Sequence, residues 1–257
     1  MTMGSRKAHE FCWINLMTPD AEKAKAFYEG LFGWTYAEMP GVPGGTLIKV
    51  EGKNAGCIMD LSAPGMPPGI PTIIGAMVKV EDAEATAKRV VSMGGKVEPV
   101  LDAMENGKMC ECTDPNGAVF WLWQPKKQVG FEHDSRAHGG PTWFETITSD
   151  ADRAVRFYAE VFGWKPDPHP MPGGGTYTVF QLDGVPVAGA MAATPQMGDV
   201  PPHWSVSFAV RNADEAAKRA VELGATMCMG VHELTGVGRF AGLSSPQGVT
   251  FTAIQWA

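Results

Sequence analysis

The stretch Phe27-Tyr28-Glu29-Gly30-Leu31-Phe32-Gly33-Trp34 returns 130 positions later as Phe157-Tyr158-Ala159-Glu160-Val161-Phe162-Gly163-Trp164. Working outward, Val80 matches Val210, and Ala87-Lys88-Arg89 matches Ala217-Lys218-Arg219. After a slip of one residue, Pro115-x-Gly117 matches Pro246-x-Gly248. A repeat of that length is a whole domain, far above solenoid periods. It predicts one domain over 9–124 and a second over 141–257. The linker between them, 125–140, is rich in charge and glycine and poor in apolar periodicity. A chain of 257 residues, 44% of them hydrophobic, can fill two such cores.

Local patterns alternate between strand and helix. The segment 11–17 reads as a strand. Thr18-Pro19-Asp20 then supplies an N-cap, a proline at the first helical position and an acid beside the positive helix end. Ala21, Ala24, Phe27, Tyr28, Leu31 and Phe32 share one helical face, and Gly33 ends the run. Strands over 46–50 and 55–61 follow, with Gly52-Lys53-Asn54 as the turn between them, so the unit is βαβββ. The order restarts with a strand over 72–80, a helix over 82–93 and strands around Val97, Met109 and Phe120. In the second repeat the matching strand, helix and last strand are 205–210, 213–223 and 249–256. The expected class is α+β, built from four βαβββ modules.

A net charge of −7 and the lack of a basic cluster exclude a nucleic-acid or anionic-lipid surface and favour a small-molecule partner. No apolar signal segment opens the chain and no run is long enough to span a membrane, which leads to the expectation of a cytoplasmic protein. Five cysteines without C-x-x-C spacing suit free thiols. The glycine clusters Gly41–Gly45 and Gly173–Gly175 lie between strands and read as hairpin connections, not phosphate loops. Edge strands of such sheets also leave room for a homodimer.

The F-Y-x-x-x-F-G-W helix after T-P-D, the paired βαβββ modules and the strand opened by Asp114-Pro115-Asn116-Gly117-Ala118-Val119-Phe120 resemble the vicinal oxygen chelate superfamily. This is the group of glyoxalases, bleomycin-resistance proteins and extradiol dioxygenases, and more narrowly its tandem-domain glyoxalase-like proteins. The resemblance covers the chain from His9 to Trp256. It implies two modules side by side per domain around an open eight-stranded cleft. In metal-dependent members it also implies His, Gln or Glu on the first strand of each module and near the ends of the final strands. Those positions here fall on Trp13, Gly75 and Trp121 in the first repeat and on Trp143, Ser205 and Thr252 in the second. A divalent ion needs several O or N donors converging at about 2.0–2.6 Å. The expectation is therefore no cofactor, with a divalent metal disfavoured and no metal ligand assigned.

Strand alternation gives the first cleft the inner face Phe11, Trp13, Asn15, Met17, Met77, Lys79, Trp121 and Trp123, a wall suited to a flat apolar ligand or, equally, to filling itself as core. The second inner face reads Trp143, Glu145, Ile147, His203, Ser205, Ser207, Thr250, Thr252 and Ile254. Glu145 is the candidate catalytic residue, a carboxylate whose pKa desolvation would raise toward a proton acceptor, with structural pairing as the alternative. The candidate ligand-binding residues are Trp13, Asn15, Met77, Trp121, Trp123, Trp143, His203, Ser205, Ser207 and Thr252. His203, after two prolines, stands at the cleft mouth or, by preference, in solvent; the linker histidines His133 and His138 are expected to be exposed and uninvolved. His9-Glu10 and His232-Glu233 are a weak metal alternative. Function thus divides between a metal-free binder of a small, partly aromatic molecule, an enzyme and a structural protein. The enzyme would be a lyase or dioxygenase with displaced ligands, or a metal-free acid/base catalyst using Glu145.

Overall fold

The computed structural model describes residues 6–39, 41–171 and 174–257, so Gly173 of the second glycine cluster lies outside the described residues. The first repeat runs β1 (Phe11–Thr18), α1 (Ala21–Phe32), β2 (Thr35–Glu38), β3 (Gly45–Val50), β4 (Lys53–Asp60), β5 (Ile73–Lys79), α2 (Ala83–Ser92), β6 (Lys96–Val97), β7 (Leu101–Asp102), β8 (Gly107–Thr113) and β9 (Val119–Pro125). The second runs β10 (Pro141–Thr148), α3 (Ala151–Phe162), β11 (Lys165–Pro170), β12 (Thr176–Leu182), β13 (Val185–Ala192), β14 (His203–Ala209), α4 (Ala213–Glu222), β15 (Thr226–Leu234), β16 (Gly238–Ser244) and β17 (Thr250–Trp256).

Each repeat builds its own sheet, in the orders β2-β3-β4-β1-β5-β9-β8-β6 and β11-β12-β13-β10-β14-β17-β16-β15. The first strands of the two modules pair antiparallel at the sheet centre, and each pairs parallel with the last strand of its own module. Each cleft therefore forms within one repeat. The first sheet carries a ninth strand, the short β7 paired to β8, which periodicity did not announce.

Two local expectations are corrected. Thr18 does not cap α1, because it is still paired in β1 opposite Asp60. The cap position is Asp20, and Pro19 precedes the helix. In the second repeat Asp150 caps with its side chain, accepting from the Arg153 N–H at 2.9 Å. The β3–β4 turn is Glu51-Gly52, both at positive φ (50° and 78°), and Lys53 and Asn54 already belong to β4. A two-residue hairpin needs that left-handed pair to match strand twist.

The convex faces of the two sheets share one apolar core that runs through both repeats. Phe11 of β1 stacks on Phe144 of β10 with ring centroids 4.2 Å apart. The aromatic helix of each repeat packs on the other repeat's sheet. Phe27, Tyr28 and Phe32 meet Phe251, and Phe157, Tyr158 and Phe162 meet Phe120. The indoles after the helices repeat this exchange. Trp34 donates to the Gly139 carbonyl and Trp164 to the His9 carbonyl, both at 2.8 Å, just ahead of the partner repeat's first strand. Asp114 holds its turn by accepting from the N–H groups of Asn116, Gly117 and Ala118, and it also accepts from the Tyr158 hydroxyl at 3.0 Å.

Phe11 reaches this core because the β1–β5 register shifts between Phe11 and Trp13. The bulge changes the phase of the strand end. Phe11 is thereby moved off the concave face, where simple alternation had placed it, and Cys12 joins the concave cluster instead.

The segment between β9 and β10 is tied down. Phe131 N–H donates to the Cys12 carbonyl, Glu132 N–H to that of Asn54, and Gly139 N–H to that of Ala209. His133 is buried against Phe131 with its Nδ1 2.8 Å from the Asp134 carbonyl, and its Nε2 has no partner. Burial pushes its pKa down to about 4. His138 is half-buried and accepts from the Arg211 N–H at 3.3 Å. Neither histidine is exposed as expected, because Phe131 and Ala137 draw the segment into the shared core. Among the described residues no helix is long and apolar enough to cross a membrane.

Two predictions follow from this core. Phe11→Ala should cost about 3–5 kcal/mol, and urea unfolding should stay a single transition with coincident fluorescence and far-UV dichroism curves, since neither sheet keeps its core alone. His133 is held neutral, so its contribution is complete above pH 6.5 and is lost as pH falls toward 4, about 3 kcal/mol in all. Stability measured from pH 7 to pH 4.5 should fall less steeply in His133→Gln than in the wild type.

Candidate functional site

The two concave faces differ in what occupies them. On the first, Trp13 lies opposite Met77, which lies beside Trp121, while Asn15 lies opposite Gly75. The Trp121 indole covers Gly75 so closely that a Cβ there would sit 2.6 Å from the ring. Trp13, Met77, Trp121 and Trp123 are 3–6% exposed and pack with Cys12, Met17 and Cys57 into a separate apolar cluster. Trp123 spends its indole N–H on the Gln128 carbonyl at 2.8 Å, Asn15 accepts from the Cys57 thiol at 2.9 Å, and Lys79 turns its ammonium to the Arg6 carbonyl. The structure brings these candidates together, and they are already covered by one another.

The second concave face is more open and more polar. Glu145 of β10 lies opposite Ser205 of β14 and beside Gly189 of β13. Trp143 lies opposite Ser207, and Ser207 beside Thr252 of β17. Trp143, Glu145, Ile147, His203 and Thr252 are half-buried, Thr250 is exposed, and Ser205 and Ser207 are buried without a side-chain hydrogen bond among the described residues. His203 opens β14 opposite Ile147, at the end of the cleft and partly exposed, with its Nδ1 2.8 Å from the Pro201 carbonyl.

Glu145 belongs to a chain of polar groups that sequence reading did not find. The Trp143 Nε1–H donates to the Tyr177 hydroxyl at 2.8 Å, and that hydroxyl donates to Glu145 Oε2 at 3.0 Å. Burial raises the carboxyl above its usual range, and the Tyr177 bond offsets part of that rise. Burial and the neighbouring carboxylate together push the Tyr177 phenol far up, so it remains a donor. Gly189 provides the slot, since a Cβ there would collide with the Tyr177 hydroxyl. Trp256 closes one end, edge-to-face with Trp143 at 6.5 Å, its own N–H donated to Thr142. Tyr177 was legible in principle from the alternation Tyr177, Val179, Gln181 along β12. Its counterpart by register in the first repeat is Gly45, so the repeat gave no hint of it.

Residues 11–122 match the family model for the Glyoxalase/Bleomycin resistance protein/Dioxygenase superfamily, and residues 143–254 match that for a Glyoxalase-like domain. The chain belongs to this superfamily. The Mycobacterium tuberculosis protein named "Putative glyoxylase CFP32" is 36% identical over 95% of this chain and 93% of its own length. The Streptomyces peucetius "Anthracycline biosynthesis protein DnrV" is 32% identical over 95% and 92%. Two crystal structures share the fold at low identity. The Mn(II)-bound glyoxalase from Novosphingobium aromaticivorans gives a TM-score of 0.65 at 17% identity, covering 97% of this chain and 85% of that one. The 2,2',3-trihydroxybiphenyl 1,2-dioxygenase from Sphingomonas wittichii gives 0.66 at 13%, covering 97% and 90%.

A superfamily with a Mn(II)-bound member raises the question of whether these residues fit a metal. They do not fit one at the inherited positions. Trp13, Gly75, Trp121, Trp143, Ser205 and Thr252 offer indoles, a glycine and neutral hydroxyls, whereas such sites are made by imidazole and carboxylate. Two carboxylates stand near these positions among the described residues: Glu145, one oxygen of which accepts from Tyr177, and the exposed Glu111, which lies opposite Trp121 on β8. The histidine alternatives do not converge either, and among the described residues no group of three or more His, Cys, Asp or Glu is placed to hold an ion.

The polar chain is open to a double-mutant test. Tyr177→Phe should cost about 1–3 kcal/mol through the two lost hydrogen bonds, and Gly189→Ala about 1–3 kcal/mol through overpacking. Because both act on one hydroxyl, the double variant should cost clearly less than the sum, read from chemical denaturation; strict additivity would mean that Gly189 does not seat Tyr177.

Proposed function

We propose that this superfamily member binds a small, partly aromatic molecule in the cleft of its second repeat, without the metal used by chelating relatives. The observation that carries the reading is the contrast between the clefts. The first is filled by its own Trp13, Trp121 and Trp123, whereas the second leaves Trp143, Glu145 and Thr252 only half-buried around the hydroxyls of Ser205 and Ser207, which have no side-chain hydrogen bond among the described residues. Indole and phenol faces supply contact area, and a few polar groups fix orientation. A relative named for anthracycline biosynthesis supports a ligand of the planar aromatic class. Asn15, Met77 and the first-repeat tryptophans then form the wall that stiffens the molecule. His203, Ser205, Ser207 and Thr252 contribute to the site itself.

A second reading is favoured by the Glu145 carboxyl, held above its usual range by burial. In it, the same cleft turns its ligand over by metal-free proton transfer, with Glu145 as acceptor and Tyr177 orienting it. Binding without turnover and binding with turnover use one set of residues, and only product formation separates them.

Titration of tryptophan fluorescence with a panel of planar aromatic compounds should give saturable quenching that a chelator leaves unchanged. Trp143→Phe should weaken it about 10-fold, and a conservative change in the first cleft, Trp121→Phe, should leave the affinity within about 2-fold, one aromatic contact being worth about 1 kcal/mol. A stoichiometric divalent ion in the purified protein whose removal abolishes binding would overturn the metal-free part of the reading.

A further inference from the structure

Glu145 sits in the middle of β10, between Trp143 and Ile147 on the concave face, and among the described residues no cation pairs with it. Its side-chain hydrogen bond comes from the neutral Tyr177 hydroxyl, through one carboxylate oxygen. The basic groups of the surrounding elements are engaged elsewhere. Arg239 on β16 is held by Asp214 and Glu233. Arg136 lies over the Trp256 ring and donates to the Ala257 carbonyl, and the His203 ring lies against the Pro201 carbonyl. The equivalent position in the first repeat is Asn15, a neutral group already paired with Cys57, so the carboxyl is particular to the open cleft.

An ionised carboxylate withdrawn from water with no countercharge is costly, and a ligand that brings a cation removes much of that cost, while an anionic ligand adds to it. The rings beside it act in the same sense. Trp143, Tyr177 and Trp256 border the site, and aromatic faces attract organic cations through their quadrupoles. We propose that the second cleft selects ligands carrying a protonated amine beside an aromatic or apolar body, with Glu145 as the countercharge and the three rings covering the rest. The inference rests on the binding reading given above and narrows it to a chemical class. The raised carboxyl pKa agrees with it, because an arriving ammonium supplies the stabilisation of the charged form that the protein withholds.

The test is a set of near-isosteric probes, naphthylethylamine, naphthylethanol and naphthylacetate, titrated calorimetrically against the whole protein at neutral pH. The amine should bind about 10–100-fold tighter than the alcohol, as expected for a hydrogen bond between charged groups, and the carboxylate should bind weakest. Glu145→Gln, with its far-UV dichroism unchanged, should bring amine and alcohol within about 3-fold of each other, whereas Glu145→Asp, which keeps the charge, should retain the preference. That rescue also answers the objection that Glu145→Gln merely disturbs the fold. Equal binding of amine and alcohol, or a preference that survives Glu145→Gln, would overturn the amine inference and leave the binding reading standing. Failure of all three probes to bind would remove both.

Discussion

Each sheet depends on aromatic side chains supplied by the other repeat. The two helices of each repeat do not by themselves cover the core-facing side of its sheet. Here the uncovered part is closed by exchange, with Phe27, Tyr28 and Phe32 set against Phe251, and Phe157, Tyr158 and Phe162 against Phe120. The two indole N–H bonds to Gly139 and His9 place that exchange at the start of each central strand. A buried indole left without an acceptor would cost the desolvation of its N–H, so these bonds fix geometry as well as adding energy. The repeats therefore share one core, and the first concave cluster lies apart from it.

With the convex faces committed to the shared core, the two concave faces are free to differ, and they do. In the first, Gly75 gives room for the Trp121 ring, and the tryptophans and methionines close on one another. In the second, Gly189 gives room for the Tyr177 hydroxyl, which holds Glu145. The same device, a glycine opposite a ring, seals one cleft with carbon and equips the other with a polar chain. A face that leaves its rings half-buried and its hydroxyls without side-chain partners keeps area and hydrogen-bonding capacity that a self-packed cluster lacks.

The repeat made the fold legible, because a helical face reading F-Y-x-x-x-F-G-W twice, followed twice by a P-x-G turn, admits few architectures. Strand alternation also placed Trp143, Glu145, Ser205, Ser207 and Thr252 on one surface, as the registers show. It failed at Phe11, where a bulge reversed the phase, and at His133, where tertiary contacts buried a segment whose composition reads as a linker. Tyr177 escaped for a different reason. Comparing repeats finds what they share, and the polar chain is built where they diverge, at Tyr177 against Gly45 and Glu145 against Asn15.

That divergence bears on why a chelating fold would give up its chelators. Metal ligands at the centre of these sheets need imidazole, amide or carboxylate donors that converge on one ion, and an indole at the same position supplies no such donor. Once Trp143 stands on β10, its N–H needs an acceptor; Tyr177 is that acceptor, and its proton in turn needs one, which Glu145 is. The acidic group is thus tied into a hydrogen-bonded sequence that begins with Trp143. It ends on a carboxyl whose other oxygen accepts no side-chain hydrogen bond among the described residues, opposite Ser205, whose hydroxyl has none there either. Such an arrangement presents a carboxylate oxygen and hydroxyl groups at the face of the sheet, where a chelating arrangement would present an ion.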